Sequence, residues 1–369
     1  MRALTWLLKS CLQSVHDISV RNLGKFRLLF LGLYPVVQAT GEALFLALTE
    51  CLREHGLAFA DCIGIACDGA AVMVGEHNSV WSRIKKESPN CVLNKCVCHS
   101  LALCVQKAFE VLPSNLGYLL VEIPGWFSHS TLRRKNYIKL FEALREEENE
   151  KSKLNLPFMK ASSTRWLVRG RIIKRLLENW QELKAYFKCA MQEGSQEVRY
   201  KARTLCDMLH DDVNYFYFLF LSPIVLEFKK INAFFQSLNA DPEKMHKELD
   251  LHHKALKSRV VNTKGQRLSI AMTDFGARFG NEIARCCKSD ESIINETLAL
   301  NMKQRCQDFL YALLREVENR LPGNQQLFQG LSALHPSKVL SQMARFPFEH
   351  LPFRHLLEGE QDVLEEQYR

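Results

Sequence analysis

Hydrophobic positions in the first third of the chain alternate between short apolar runs and helical periodicity. Three runs have the length and turn endings of buried strands: residues 25–37, 61–67 and 91–97. Each is followed by a stretch in which apolar residues recur every three or four positions: residues 40–56, 70–86 and 99–112. This order predicts a three-layer α/β unit with a largely parallel sheet.

Beyond Pro113 the periodicity is helical, and no strand pattern is found for roughly 200 residues. Apolar stripes mark one face of three segments: residues 168–187, 213–235 and 298–313. Stripes of this kind pack against other helices, so their aromatic residues are expected in a core. The predicted fold class is therefore α/β plus all-α.

Composition indicates a protein with a real core, because 47% of the 369 residues are hydrophobic and 24% are charged. The net charge of +8 favours polyanions without giving specificity. The N-terminal residues lack a signal-peptide cleavage site. The most apolar segment, residues 213–226, contains Asn214 and Pro223 and is shorter than the about 20 apolar residues of a membrane helix. We expect a nuclear or cytosolic protein with no membrane partner.

The 13 cysteines are odd in number and scattered, which does not indicate a disulfide framework. Most lie in apolar runs, as small buried residues do in a reducing compartment. Cys91, Cys96, Cys98, His99 and Cys104 lie close together in sequence, but they lack the second ligand pair of a structural zinc centre. We expect no zinc site.

Two further places carry candidate chemistry. Asp68 ends the second predicted strand, where a carboxylate can hold a divalent metal, or can form an ordinary turn with Gly69. Arg165 and Trp166 follow a helix-capping run and can pair a phosphate and stack on a base, or can belong to a helical core. No phosphate loop or nucleophilic triad is found in the sequence, so no small-molecule substrate is expected.

Three segments in order resemble those of the hAT superfamily of DNA transposases, in the zinc-finger-associated branch that has been domesticated. Residues 67–75 (CDGAAVMVG) are similar to its DGA-x-x-M-x-G segment, residues 95–104 (KCVCHSLALC) to its C-x-x-H segment, and residues 163–166 (STRW) to its R-W motif. The resemblance implies an incomplete RNase H-like core in residues 1–112. It also implies a helical insertion in residues 113–345. The chain would then return to the core in residues 346–369, where this last core segment is truncated.

Family catalysis uses three acidic residues and two divalent metals, Mg²⁺ or Mn²⁺. Asp68 matches the second acid and is the implied metal ligand. Asp17 matches the end of the first acid's segment, but Gln13 stands where its leading aspartate is expected, and Glu366 matches the third acid.

The resemblance also implies nucleic-acid-binding residues. His99 and Cys96 would lie near the cleaved strand, and Arg165 and Trp166 would hold a flipped base.

Because one acid is replaced, we expect a transposase-derived nuclear protein, also present in the cytoplasm, that is inactive and needs no cofactor. It would retain binding to DNA, to a protein partner or to a second copy of itself. One alternative is an active transposase that cleaves and transfers DNA strands with Mg²⁺ or Mn²⁺. Another is a nuclear interaction scaffold with no role on DNA.

Overall fold

The structure, a computed structural model, describes residues 31–147, 169–237, 241–288, 294–341, 343, 345–354 and 361–368. Over these residues the protein is mainly helical, with two parallel strands in its sheet. The predicted combination of a largely parallel sheet with an all-helical part is confirmed in its coarse form, a mainly helical fold with a small sheet. In the described part of the chain, no helix is both long and apolar enough to cross a membrane.

The chain divides into two compact units. The first unit contains Met1–Ser100, Phe235–Asp250 and Arg320–Arg369. The boundaries at residues 112 and 345 that the resemblance implies stay a prediction. The elements of the first unit include α1 (Gly41–Glu54), β1 (Gly64–Cys67), α2 (Ala71–Val74), α3 (Val80–Glu87), β2 (Val92–Lys95), the start of α4 (Val97–Phe109), α14 (Pro322–Ala333), α15 (Pro336–Val339) and α16 (Gln361–Tyr368).

The sheet of the first unit pairs β1 with β2 in parallel, in a register that runs from Gly64 opposite Val92 to Cys67 opposite Lys95. The strands alternate with helices α1 and α3, whose apolar faces cover a shared core. Its buried members include Leu44, Leu48, Cys51, Ile65, Met73, Val80 and Ile84. The spacing of Leu44, Leu48 and Cys51 places them on one face of α1, and this face packs against the core of the first unit.

The strand predicted over residues 25–37 is not found in its described part, residues 31–37, and residues 25–30 lie outside the described range. Leu31 is buried, and Tyr34 and Val36 pack against the core. The apolar residues of this segment therefore contribute to the core although its described part pairs with no strand. Pro35 has no amide hydrogen to donate, which removes one ladder bond. The predicted three-strand α/β arrangement is therefore corrected to a two-strand sheet among the described residues.

The helix predicted over residues 70–86 is divided into α2 and α3. Gly75 ends α2, and its amide donates to the carbonyl of Ala71. Ser79 then starts α3 as its N-cap, because its hydroxyl accepts the amide of Ser82 at 3.0 Å. Residues 75–79 (GEHNS) carry no apolar side chain between the two apolar stretches, and this interruption is the sequence signal for the break.

A late segment of the chain packs beside the sheet in the first unit. The side-chain amide of Asn324 on α14 donates to the carbonyl oxygen of Lys95 at 2.6 Å and to Oδ1 of Asn94 at 3.1 Å. Asn324 and Lys95 are 229 residues apart in sequence. Phe235 and Phe328 stack with ring centroids 5.8 Å apart. The sheet thus belongs to a unit assembled from distant parts of the chain.

The second unit contains Leu101–Phe234 and Leu251–Asn319. Its helices, some shared with the first unit, are α5 (Ser114–Ser128), α6 (Thr131–Glu147), α7 (Arg169–Glu178), α8 (Trp180–Ala190), α9 (Gln196–His210), α10 (Asp212–Phe235), α11 (Pro242–Val260), α12 (Ala277–Lys288) and α13 (Glu296–Arg320). The stripes predicted at 213–235 and 298–313 lie on α10 and α13. The stripe predicted at 168–187 is shared by α7 and α8, because Asn179 separates them.

Candidate functional site at the ends of the parallel strands

The two segments with candidate chemistry meet where the parallel strands end. Cys67 closes β1 and Lys95 closes β2, and the two residues are partners in the register. The amide of Cys96 donates to the carbonyl oxygen of Cys67 at 2.7 Å, which extends the ladder by one bond. Asp68 and Cys96 therefore leave the strands side by side, at the edge where ligands of parallel sheets usually bind.

Asp68 forms the turn that the Asp-Gly pair predicts. Its Oδ1 accepts the backbone amide of Ala70 at 3.2 Å, and its side chain is half-buried. The carboxylate is thereby held at the strand end, just ahead of α2. The hydrogen bond fixes the position of the Asp68 carboxylate. One of the two carboxylate oxygens is therefore already engaged with the backbone.

Cys96 is a half-buried thiol directly before α4. The Cys98 thiol donates a hydrogen bond to it, and the backbone amides of Cys98 and His99 donate as well. These donors outweigh burial and lower the pKa of Cys96 from 9.0 to about 6. Conversely, the hydrogen bond to Cys96 and burial raise the pKa of Cys98 well above its usual range. Cys96 is the thiolate of the pair at neutral pH.

The electrostatics of this edge are mixed. The Asp68 carboxylate and the Cys96 thiolate are both anionic, while the exposed Lys95 supplies a positive charge. Burial raises the pKa of Cys67 to about 12, so it adds no charge. A phosphate would be repelled by the carboxylate of Asp68 and attracted by the exposed ammonium group of Lys95.

The low pKa of Cys96 predicts its reactivity. Since the thiolate is the nucleophile, alkylation of Cys96 by iodoacetamide should rise with pH through a midpoint near 6 and level off above pH 7. Replacing Cys98 by alanine removes the thiol donor and should move this midpoint to higher pH. The measurement is peptide-resolved alkylation against pH, with the exposed Cys189 as reference. An alkaline midpoint that the Cys98 substitution leaves unchanged would contradict the hydrogen-bonded pair.

Several residues of this edge were not predicted as site residues. The side chain of Gln236 hydrogen bonds with Cys98, and Asn324 holds the Lys95 carbonyl. Both reach the site from distant segments, as single polar residues that give no sequence signal. Cys98 lies inside the segment at residues 95–104, two positions after Cys96. This spacing is the sequence feature that could have indicated a pair of thiols.

The structure does not assemble every predicted residue at this edge. His99 is half-buried on the first turn of α4 and contacts Cys96 through its amide. Glu366 is exposed on α16, and no contact described for the chain joins it to Asp68. Asp17, Arg165 and Trp166 lie outside the described residues.

The residues around Asp68 do not fit the Mg²⁺ that the resemblance implies. Within the described ranges, no three histidine, cysteine or acidic side chains converge to hold a metal ion. Among the described residues, the ionisable groups that interact with Asp68 include the thiols of Cys67 and Cys96. Mg²⁺ selects oxygen ligands in octahedral geometry, and sulfur is a poor substitute. No metal-dependent step is derived from this arrangement.

Comparison with known proteins gives no independent assignment, since no protein family and no solved structure matches the chain. The similarity to hAT transposases thus rests on the segments at residues 67–75, 95–104 and 163–166. Two of these three segments meet at the edge of the sheet described above.

Proposed function

We propose that this chain is a transposase-derived nuclear protein that has lost catalysis and binds nucleic acid. The observation that carries the proposal is the meeting of Asp68, Cys96 and His99 at one sheet edge. They come from two separate segments that resemble transposase segments, and the resemblance expects them at one site. The RNase H-like character of the first unit is part of the proposal, supported by the parallel strands and the late segment packed beside them.

Loss of catalysis is supported by residue types. Gln13 stands where the resemblance expects the first acid, and a neutral amide cannot replace a carboxylate in charge or in bridging geometry. Asp68 lies among thiols, and one of its oxygens accepts a backbone amide. A site of this composition is a poor two-metal centre.

Binding to nucleic acid is supported by the groups that remain. Lys95, which ends β2, is exposed, and the chain carries a net charge of +8. Trp166 would stack on a base, which is worth about 1–3 kcal/mol per base in single-strand binding. Phosphate contacts of lysine and arginine make such binding strongly dependent on salt.

The test is a binding and cleavage assay with labelled duplex and hairpin DNA. The full chain should bind with an affinity that falls as salt rises, and it should produce no nick in Mg²⁺ or Mn²⁺. His99→Ala and Trp166→Ala should each weaken binding about tenfold, as the loss of about 1.4 kcal/mol does. His129→Ala is the matched control, because His129 is an exposed histidine at the end of α5 and belongs to the second unit.

The outcomes of this assay distinguish the inactive nucleic-acid-binding protein from the active transposase and from the interaction scaffold. Metal-dependent nicking that Asp68→Ala abolishes would establish an active transposase-type nuclease and overturn the proposal. Failure of the chain to bind DNA at low salt would favour the nuclear interaction scaffold instead. Equal weakening by His129→Ala and His99→Ala would remove the sheet edge as the binding site.

A further inference from the structure

A pair of thiols lies at the opposite ends of the same two strands. Cys62 precedes β1, Cys91 precedes β2, and their Sγ atoms are 3.8 Å apart. Cys91 is buried, whereas Cys62 is partly exposed. The strands start here and end at the site above, so this pair lies away from Asp68 and Cys96.

The backbone around the pair is held by three hydrogen bonds. The hydroxyl of Ser88 donates to the Cys62 carbonyl at 3.0 Å, and the amide of Cys91 donates to the Ser88 carbonyl at 3.1 Å. The amide of Val92 donates to the Ile63 carbonyl at 3.0 Å. The two cysteines are therefore neighbours in the folded unit because the parallel pairing aligns the residues before both strands.

We infer that Cys62 and Cys91 form an oxidation site that closes into a disulfide in the presence of a small-molecule disulfide. The two sulfurs are already in van der Waals contact and must approach from 3.8 Å to the bonded distance of about 2.05 Å. Rotation of the two side chains can supply much of this movement, with little demand on the backbone. This inference concerns thiol chemistry and does not depend on the proposed binding to nucleic acid.

The chemistry is thiol–disulfide exchange in two steps. The more accessible Cys62 loses its proton and attacks one sulfur of the small disulfide, which releases one thiol and leaves a mixed disulfide. The Cys91 thiol then loses its proton and attacks Cys62 Sγ, which releases the second thiol. The protein is oxidised by two electrons, and the small disulfide is reduced to two thiols.

The cross-link would enclose residues 63–90, which contain β1, α2 and α3. A disulfide restricts the unfolded chain by closing a loop of this length, so the oxidised protein should resist unfolding more than the reduced protein. Oxidation would then be recorded as a shift of the melting temperature of the first unit. This gives a readout that is independent of DNA.

The experiment treats the folded full chain with oxidised glutathione, blocks remaining thiols with iodoacetamide and maps tryptic peptides without reduction. Cys62 lies in the peptide of residues 54–83 and Cys91 in the peptide of residues 87–95. The expected product is these two peptides joined, lighter by two hydrogens than the sum of the peptide with carbamidomethylated Cys67 and the reduced peptide of residues 87–95, and separated by dithiothreitol. The melting temperature should rise when the link forms and fall back on reduction.

Because the first peptide also contains Cys67, a matched pair of variants identifies the partner. Cys67→Ser should keep the link, whereas Cys62→Ser should abolish it. Circular dichroism before oxidation shows whether each variant is folded. If a variant is not folded, the peptide map of the wild-type protein decides whether Cys62 and Cys91 are linked. Separate alkylation of Cys62 and Cys91 in the oxidised wild type, or a link that persists in Cys62→Ser, would overturn the inference.

Discussion

Replacing Phe220 by alanine is expected to lower the free energy of unfolding of the second unit by about 4 kcal/mol. The Phe220 side chain on α10 is fully buried. Its ring centroid lies 5.6 Å from those of Phe279 and Phe309 and 6.4 Å from that of Phe275. Removing the ring loses the free energy of burying its apolar surface. It also leaves a cavity that the neighbouring side chains fill only partly. The aromatic pairs, each worth about 0.5–1.5 kcal/mol, are part of this total.

The measurement is urea unfolding followed by far-ultraviolet circular dichroism. Tyr200→Ala is the matched control, because Tyr200 is an aromatic residue of the same unit with 73% of its surface exposed. It should change the stability by less than about 0.5 kcal/mol, as exposed substitutions usually do. Phe220→Leu should fall between the two. Similar losses for Phe220→Ala and Tyr200→Ala would show that Phe220 is not at the centre of a packed core.

A second large effect is expected from Gly41→Ala, which should destabilise the first unit by about 3 kcal/mol. Gly41 is the first residue of α1, where alanine would ordinarily favour the helix. A Cβ at this position would overlap the carbonyl oxygen of Asn78 and lie 2.9 Å from Cα of Ser79. Those atoms belong to the backbone ahead of α3, so relief requires the two helices to separate. Steric overlap therefore outweighs helix propensity.

Gly69→Ala provides the comparison within the same unit. No atom lies within 4 Å of a Cβ placed on Gly69, so this substitution should change the stability by less than about 0.5 kcal/mol. Thermal unfolding of both variants by circular dichroism tests the pair. Equal stability of the Gly41 and Gly69 variants would contradict the close approach of α1 to the residues before α3.

Local patterns were sufficient for much of the fold. Helical stripes such as that on α10, and the apolar runs that became β1 and β2, follow from the period of hydrophobic residues. The segment around Tyr34 had the same apolar character and yet forms no strand in its described part. Periodicity shows that a segment will be buried, but pairing also requires a neighbouring strand and a continuous set of amide donors, which Pro35 interrupts.

Asp68, Cys96 and His99 are predicted as site residues by the resemblance of residues 67–75 and 95–104 to transposase segments. Their adjacency depends on the parallel register of β1 and β2, which joins residues that are distant along the chain. The low pKa of Cys96 depends on hydrogen bonds with defined directions, which a sequence does not contain. Gln236 and Asn324 belong to the site only because distant segments fold beside the sheet.

The tendency of residues to be buried, their tendency to form helices and the presence of reactive side chains all follow from the order of amino acids. These properties are local, since they depend on side-chain chemistry and on a period of a few residues. The tertiary structure decided which of these residues meet: Cys96 with Cys98 and Gln236, Cys62 with Cys91, and Asn324 with Lys95. The physical reason is that pKa values, thiol pairing and steric overlap depend on distances in space of a few ångströms, and only the packed chain fixes those distances.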